Sequence, residues 1–329
     1  MTQEHDLLRI TDLQVDFNTF EGCLHVLDRV SITARMGEKV GLVGESGCGK
    51  STLGRCIVRR VRPVAGEIIF WSERLNNIED IVSVTDSIWK QLRKQIQMIF
   101  QEPGAAINPV FTVGDQLRAA IRFSAPTHIG KSQIQRRAIE LLQEVQLSDP
   151  ERIMSSYPFQ LSGGMQQRIC IAMALGVQPS LLIADEPTTA LDVTSQEQIL
   201  RLFNDLVSHH RTAVIFITHN LGVVREIADR VYVMYAGQVM ESATTDELFE
   251  NPIHPYTRGL ISAVPKLTGG GIIEGIPGHI PSYLDPPTGC RFCTRCPDVV
   301  PKCYEARPPI SSINASHEVA CFLYGGEAP

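Results

Sequence analysis

The sequence predicts an α/β fold: a mostly parallel sheet covered by helices, with an antiparallel β-subdomain and a helical subdomain attached. Three observations predict it. Leu181-Leu182-Ile183-Ala184 and Ala213-Val214-Ile215-Phe216-Ile217 are continuous apolar runs, as strands buried on both faces require. Residues 39–59 read as strand, glycine-rich loop and helix. Residues 7–36 alternate apolar and polar positions instead, as in Leu8, Ile10, Leu13, Val15 and Phe17, the pattern of antiparallel strands with a half-buried face.

The elements follow in order. Lys39-Val40-Gly41-Leu42-Val43 is a buried strand, and a helix begins at Ser51. Further strands are expected over 64–71 and 96–100, the second ending at Gln101. Residues 113–146 are helical and charged, and 161–177 are helical from a Ser-Gly-Gly start. Residues 231–241 close as a strand pair around Ala236-Gly237. From Pro265 glycine and proline become dense, as in Gly269-Gly270-Gly271, Pro277-Gly278 and Pro286-Pro287, which predicts an irregular tail. The expected division is one domain over 1–262, its helical subdomain near 102–177, and a Pro/Gly/Cys-rich extension over 263–329.

Composition narrows the class. At 43% hydrophobic and 20% charged, the chain can bury a large core. A net charge of −6 argues against a nucleic-acid-coating surface. The start, Met1-Thr2-Gln3-Glu4-His5-Asp6, is too polar for a signal peptide, and no apolar run nears the ~18 residues of a membrane span. A cytosolic protein is expected, with docking onto a membrane protein left open. Cys23, Cys48, Cys56 and Cys170 are scattered, whereas Cys290, Cys293, Cys296, Cys303 and Cys321 crowd the tail. In a reducing compartment such a crowd reads as metal or cluster ligands before disulfides.

The chemistry begins at Gly44-Glu45-Ser46-Gly47-Cys48-Gly49-Lys50-Ser51-Thr52, which fits the loop that wraps phosphates in backbone N–H groups. The helix that follows points its N-terminal N–H groups and dipole at the anion. Lys50 is expected on the β- and γ-phosphates and Ser51 on Mg²⁺. Leu182-Ile183-Ala184-Asp185-Glu186 is a strand ending in two acids. Downstream of a phosphate loop, Asp185 reads as a Mg²⁺ ligand and Glu186 as the base for an attacking water. Alone the pair would equally be a solvated strand end. Ser162, Gly163 and Gly164, at a second helix start, form another anion-binding terminus or a plain cap. Two γ-phosphate sites on opposite edges make sense in a head-to-tail dimer with nucleotide sandwiched between chains.

Taken in order, the phosphate loop, Gln101, the 161–167 segment, Asp185-Glu186, Ala190-Leu191-Asp192 and Thr218-His219 resemble the ATP-binding cassette ATPases over residues 5–262. The resemblance implies a RecA-like nucleotide core binding ATP and Mg²⁺. It implies that Gln101 contacts metal and γ-phosphate and signals to a transmembrane partner. Ser162 and Gly164 would bind the opposite protomer's γ-phosphate, Asp192 would act across the seam, and His219 would hold the geometry of attack. Phe17, or Phe20, would stack on adenine. Asn220 stands where an acid often follows the histidine, with little consequence expected.

The tail is similar to that of the dipeptide/oligopeptide/nickel importer ATPases, through Asn251-Pro252-Ile253-His254-Pro255-Tyr256-Thr257, Ile276-Pro277-Gly278, Pro287-Thr288-Gly289-Cys290 and Arg295-Cys296-Pro297. That resemblance implies two permease subunits, an extracytoplasmic solute-binding protein and a second related ATPase or a second copy of this chain. It also implies a peripheral place on the cytoplasmic face of the inner membrane and no nucleic acid. The matching cysteines, Cys290, Cys296, Cys303 and Cys321, imply a [4Fe–4S] cluster in some members; zinc and free thiols stay open. Two alternatives remain beside import: a soluble cassette ATPase uncoupled from transport, and an ATPase gated by the redox state of the tail.

Overall fold

The computed structural model describes residues 6–124, 129–188, 192–264 and 275–324. Thr189, Ala190, Leu191, the Gly269-Gly270-Gly271 run and the first five residues lie outside these. The alternating N-terminal stretch forms the strands β1 (Asp6–Thr19) and β2 (Gly22–Arg35). With β4 (Ala65–Ser72) and β5 (Asn77–Asp80) they make an antiparallel sheet in the order β2-β1-β4-β5.

The second sheet carries the chemistry. Its parallel strands are β3 (Lys39–Val43), β6 (Ile96–Ile99), β7 (Leu181–Asp185), β8 (Ala213–Thr218) and β9 (Arg230–Tyr235). β10 (Gln238–Thr244) returns antiparallel to β9 through the turn at Ala236 and Gly237, both at positive φ. The full order is β11-β12-β10-β9-β3-β8-β7-β6, where β11 (Ile310–Ser312) and β12 (Glu318–Ala320) come from the tail. The tail is therefore more regular than its glycine and proline suggest. Antiparallel pairing to β10, at Glu241↔Val319 and Ser242↔Glu318, gives it a template that its own sequence pattern does not announce.

The continuous apolar runs are buried on both faces, for a visible reason. Leu182, Ala184, Val214 and Phe216 enter one core, and the alternate residues Leu181, Ile183, Ala213, Ile215 and Ile217 enter the other. The second core lies under the antiparallel sheet and α1 (Lys50–Ile57), joined by the short α2 (Asp86–Leu92). The first is the helical lobe: α3 (Pro103–Ala106), α4 (Val113–Ser124), α5 (Lys131–Glu144), α6 (Pro150–Ser155) and α7 (Gly163–Leu175), closed by α8 (Val193–His210). A third core joins β9, β10 and α9 (Leu221–Ile227) to α10 (Thr245–Glu250), α11 (Pro255–Ser262) and the tail, whose α12 is Lys302–Glu305. Phe292, Cys290, Cys293 and Cys303 are buried in it beside Tyr235 and Tyr256.

Candidate active site

The parallel strands end on one edge, where open α/β sheets bind ligands. The phosphate loop follows β3, Gln101 follows β6, Asp185 and Glu186 end β7, and His219 follows β8. Register aligns these ends: Val43 pairs with Thr218, and Asp185 with Ile217. Four segments distant in sequence thus meet through strand pairing alone.

The loop's shape depends on glycine at two points. A Cβ on Gly44, at φ 151°, would meet the Met234 carbonyl oxygen at 2.1 Å. One on Gly49, at φ 102°, would meet Leu27 at 2.7 Å. Gly49 is the N-cap of α1, so that helix's free N–H groups open into the loop. Lys50 is buried and turned inward, donating to the carbonyls of Gly44 at 2.8 Å and Glu45 at 2.9 Å. Ser51 Oγ donates to Asp185 Oδ1 at 2.8 Å. Burial pushes the Asp185 carboxyl up from its ordinary value, the cost of a carboxylate with too little solvent. Two hard oxygen donors in contact, one an under-solvated carboxylate, fit a Mg²⁺ ion.

Glu186 adopts φ 46°, in the left-handed region, with its N–H bonded to Ile217 O at 2.9 Å. That turn sets its carboxylate between two partners. Gln101 Nε2 donates to Oε2 at 3.2 Å, and His219 Nδ1 lies 3.0 Å from Oε1. His219 is half exposed, while the Glu186 side chain is 12% exposed. A carboxylate oriented by an amide and an imidazole at a phosphate-loop edge can accept a proton from water.

Other expected site residues stand elsewhere. Ser162 caps α7 by accepting from Met165 N at 3.3 Å, and Gly163 and Gly164 open that helix in the helical lobe. Asp192 caps α8 by accepting from Ser195 N at 3.0 Å, a bond that holds its carboxyl below the usual range. A Cβ on Gly164 would meet nothing within 4 Å, and the same holds for Gly47 in the phosphate loop. Both surfaces are open. Phe17 sits on β1 opposite Leu24 and is 38% exposed, and Phe20 at the hairpin tip is fully exposed. The same hairpin end gathers Asp16, Cys23 and His25, with ligand atoms within 4.8 Å of one another. The tail cysteines are not so close, among the described residues.

Sequence reasoning missed a set of residues that grip the phosphate loop from outside. Arg295 forms a fork on Glu45, with Nη1 at 2.7 Å from Oε2 and Nη2 at 3.0 Å from Oε1. The Tyr256 hydroxyl accepts from Glu45 N at 2.9 Å, and the Tyr283 hydroxyl donates to Gly47 O at 2.7 Å. His254-Pro255-Tyr256-Thr257 stood out as a family mark, but nothing in its spacing pointed at the loop.

Comparison with known proteins points to one family. The family model "ABC transporter" matches residues 27–189, and "Oligopeptide/dipeptide transporter, C-terminal region" matches 240–303. The oligopeptide transport ATP-binding protein AppD of Bacillus subtilis is 43% identical over 323 residues, covering 98% of each chain. The dipeptide transport ATP-binding protein DppD of the same organism is 41% identical, covering 96% of this chain and 94% of its own. Among solved structures, the dimeric post-hydrolysis form of the cassette MJ0796 bound to ADP and Pi aligns with a TM-score of 0.64 at 27% identity. That alignment covers 72% of this chain and 98% of the other.

Proposed function

The chain belongs to the ABC transporter ATPases, as an ATP-hydrolysing transporter subunit, and we propose that it powers a peptide importer from the strand edge described above. The observation that carries the mechanism is the convergence of Gln101, Glu186 and His219 beside the Ser51–Asp185 pair. Gly44 to Thr52 hold the phosphates through backbone N–H groups, and Lys50 turns from the loop carbonyls to the β- and γ-phosphates. Ser51, Asp185 and Gln101 would hold Mg²⁺, which would supply neutralisation of phosphate charge. Glu186 takes a proton from water as the water oxygen bonds to the γ-phosphorus and the β–γ bridging bond breaks. Gln101 and His219 hold that carboxylate in line. Phe17 stacks on adenine.

Ser162, Gly163 and Gly164 open α7 in the helical lobe and Asp192 caps α8; on this reading they complete the site of a partner cassette. The open surfaces over Gly47 and Gly164 support this, as does the dimeric MJ0796 neighbour. The partner is a second related ATPase or a second copy. Two permeases, fed by an extracytoplasmic solute-binding protein, dock on the helical lobe at the cytoplasmic face of the inner membrane. Val110, Phe111 and Phe159 are exposed there, with Tyr157 stacked on Phe159 at 5.6 Å, a surface suited to a permease loop. Among the described residues no helix is long and apolar enough to cross a membrane. Peptide cargo is supported by the relatives' names. Neither a soluble role nor redox gating draws support from them.

Cys290, Cys296, Cys303 and Cys321 are proposed as ligands of a [4Fe–4S] cluster, with zinc as the alternative. Zinc at about 2.3 Å from each sulfur would draw its thiolates within about 4 Å of one another. Among the described residues no three tail thiols lie within 4.8 Å of one another, while Cys303 is an electrostatic neighbour of Cys290, Cys296 and Cys321. Burial pushes the Cys290 thiol up to about 12 and the Cys296 thiol to about 11, so as thiols they are inert. Anaerobic preparation should yield iron and labile sulfide together, lost in Cys303→Ser; absence of both refutes the cluster.

The transport reading is tested by capturing the chain from detergent-solubilised membranes and identifying what comes with it. Two permeases and a second cassette support import. Recovery of soluble partners alone overturns transport and leaves the ATPase chemistry standing.

A further inference from the structure

We propose that Arg295, Tyr256 and Tyr283 are positioning residues for nucleotide binding: the C-terminal extension clamps the phosphate loop from outside and holds it open for ATP. The phosphate motif needs the backbone at positions 45 and 47 and leaves the Glu45 side chain unassigned. The tail takes up what the motif leaves over. Arg295, its side chain 4% exposed, forks onto the Glu45 carboxylate. It is anchored in turn by the carbonyls of Pro277 and Ile276, each at 2.8 Å, and by the Tyr235 hydroxyl at 3.2 Å.

The two tyrosines act on the backbone itself. Tyr256 receives the Glu45 N–H, and Tyr283 donates to the Gly47 carbonyl. A peptide unit is planar, so holding one C=O outward fixes the N–H on its other side. Tyr283 is itself fixed, because its carbonyl accepts from His25 N at 2.8 Å. Behind Tyr256 lies a buried hub. Glu241 accepts from Ile253 N and His254 N, each at 2.8 Å, and its Oε1 lies 2.7 Å from His317 Nε2. His254 Nδ1 accepts from Tyr256 N at 3.0 Å. The path from His317, just before β12, to Glu45 is continuous.

The clamp matters because Lys50 now closes the loop from inside, through the carbonyls of Gly44 and Glu45. When ATP draws Lys50 to its phosphates, those bonds go. The Cys48 N–H stays on the Glu45 carbonyl at 3.3 Å, and the contacts from outside keep the Glu45 N–H and side chain and the Gly47 carbonyl in place, so the loop loses less order and binds more tightly.

The inference rests on nucleotide occupying this loop, which wild-type binding of a non-hydrolysable ATP analogue with Mg²⁺ tests alone. If the full-length wild-type chain binds none, the nucleotide reading falls and the clamp with it. If it binds, Arg295→Met should weaken affinity and raise KM about tenfold, with kcat within about twofold, since the removed contact is charge-assisted and touches no reacting atom. Arg295→Lys should recover part of the loss. The double variant Arg295→Met/Glu45→Gln should lose no more than Arg295→Met, because both delete one interaction. Arg258→Ala, which breaks an exposed tail pair with Asp298, should leave affinity unchanged. Unchanged affinity in Arg295→Met, or additive losses in the double variant, overturns the clamp. Should Arg295→Met fail to fold, Tyr283→Phe removes only a hydroxyl: a loss of about threefold supports the proposal, and none overturns it.

Discussion

The phosphate loop and the Ser162-Gly163-Gly164 segment both open helices, α1 and α7, and the molecule treats the two helix starts oppositely. The phosphate loop is held from three sides: by Lys50 within, by the β9–β10 turn through Gly237 N to Cys48 O at 2.9 Å, and by the tail at Glu45 and Gly47. The second terminus has its Ser162 cap and open space over Gly164. One half-site is built by the chain itself. The other is displayed. On the proposed reading, a catalytic centre divided this way would be assembled only when two cassettes meet, so ATP occupancy and partner contact would become one event.

The comparison breaks most visibly at the built half. Glu186→Gln should lower kcat by roughly 10²–10⁴ while nucleotide binding survives, because the base is lost and the loop is intact. Single-turnover hydrolysis beside analogue binding reads both, and near-normal turnover would remove Glu186 from that role. On the displayed half, Gly164→Glu should weaken ATP-driven pairing about a hundredfold by setting a carboxylate toward phosphate. Monomer stability and monomer ATP binding should hold, since the new side chain meets nothing in its own chain. Sizing and melting curves with and without nucleotide check it; a destabilised monomer would mean that the surface over Gly164 is not open.

A smaller effect sharpens the held side. Burial lowers His254 to about 3, so it is neutral in the folded chain at pH values where an unfolded histidine is protonated. Between about pH 6.5 and about 3 the unfolded state binds more protons, so stability falls with falling pH. His254→Asn keeps an acceptor near Tyr256 N and should show a smaller drop in Tm from pH 7 to about pH 5. An equal drop would assign the acid sensitivity elsewhere. The smallest effect is at the Ser162 cap. Ser162→Ala should cost about 1 kcal/mol and Ser162→Gly only a few tenths, read from monomer denaturation.

Much of the edge was legible because its parts are local. Gly44 to Thr52, Asp185-Glu186 and the apolar runs before them each carry their chemistry within a few residues. The hairpin turn at Ala236-Gly237 was legible for the same reason. The outer grip on the loop was not. Arg295 and Glu45 are 250 residues apart, and an arginine beside a cysteine gives no hint of its carboxylate. The strand β12 was hidden too, since three residues are too short for a periodic signal and depend on β10 for pairing.

The sequence alone determined which groups could do chemistry: glycines where the backbone turns left, a lysine and a hydroxyl at a helix start, two acids at a strand end. Those requirements are met within one turn or one strand, so order along the chain carries them. Only the tertiary structure decided which groups share a site. Strand register brought Gln101, Glu186 and His219 together, Ser162 and Asp192 became caps of α7 and α8, and a shared apolar core seated the tail against the loop. Burial is non-directional and rewards any apolar contact, so neighbours distant in the chain become partners only once the whole fold has closed.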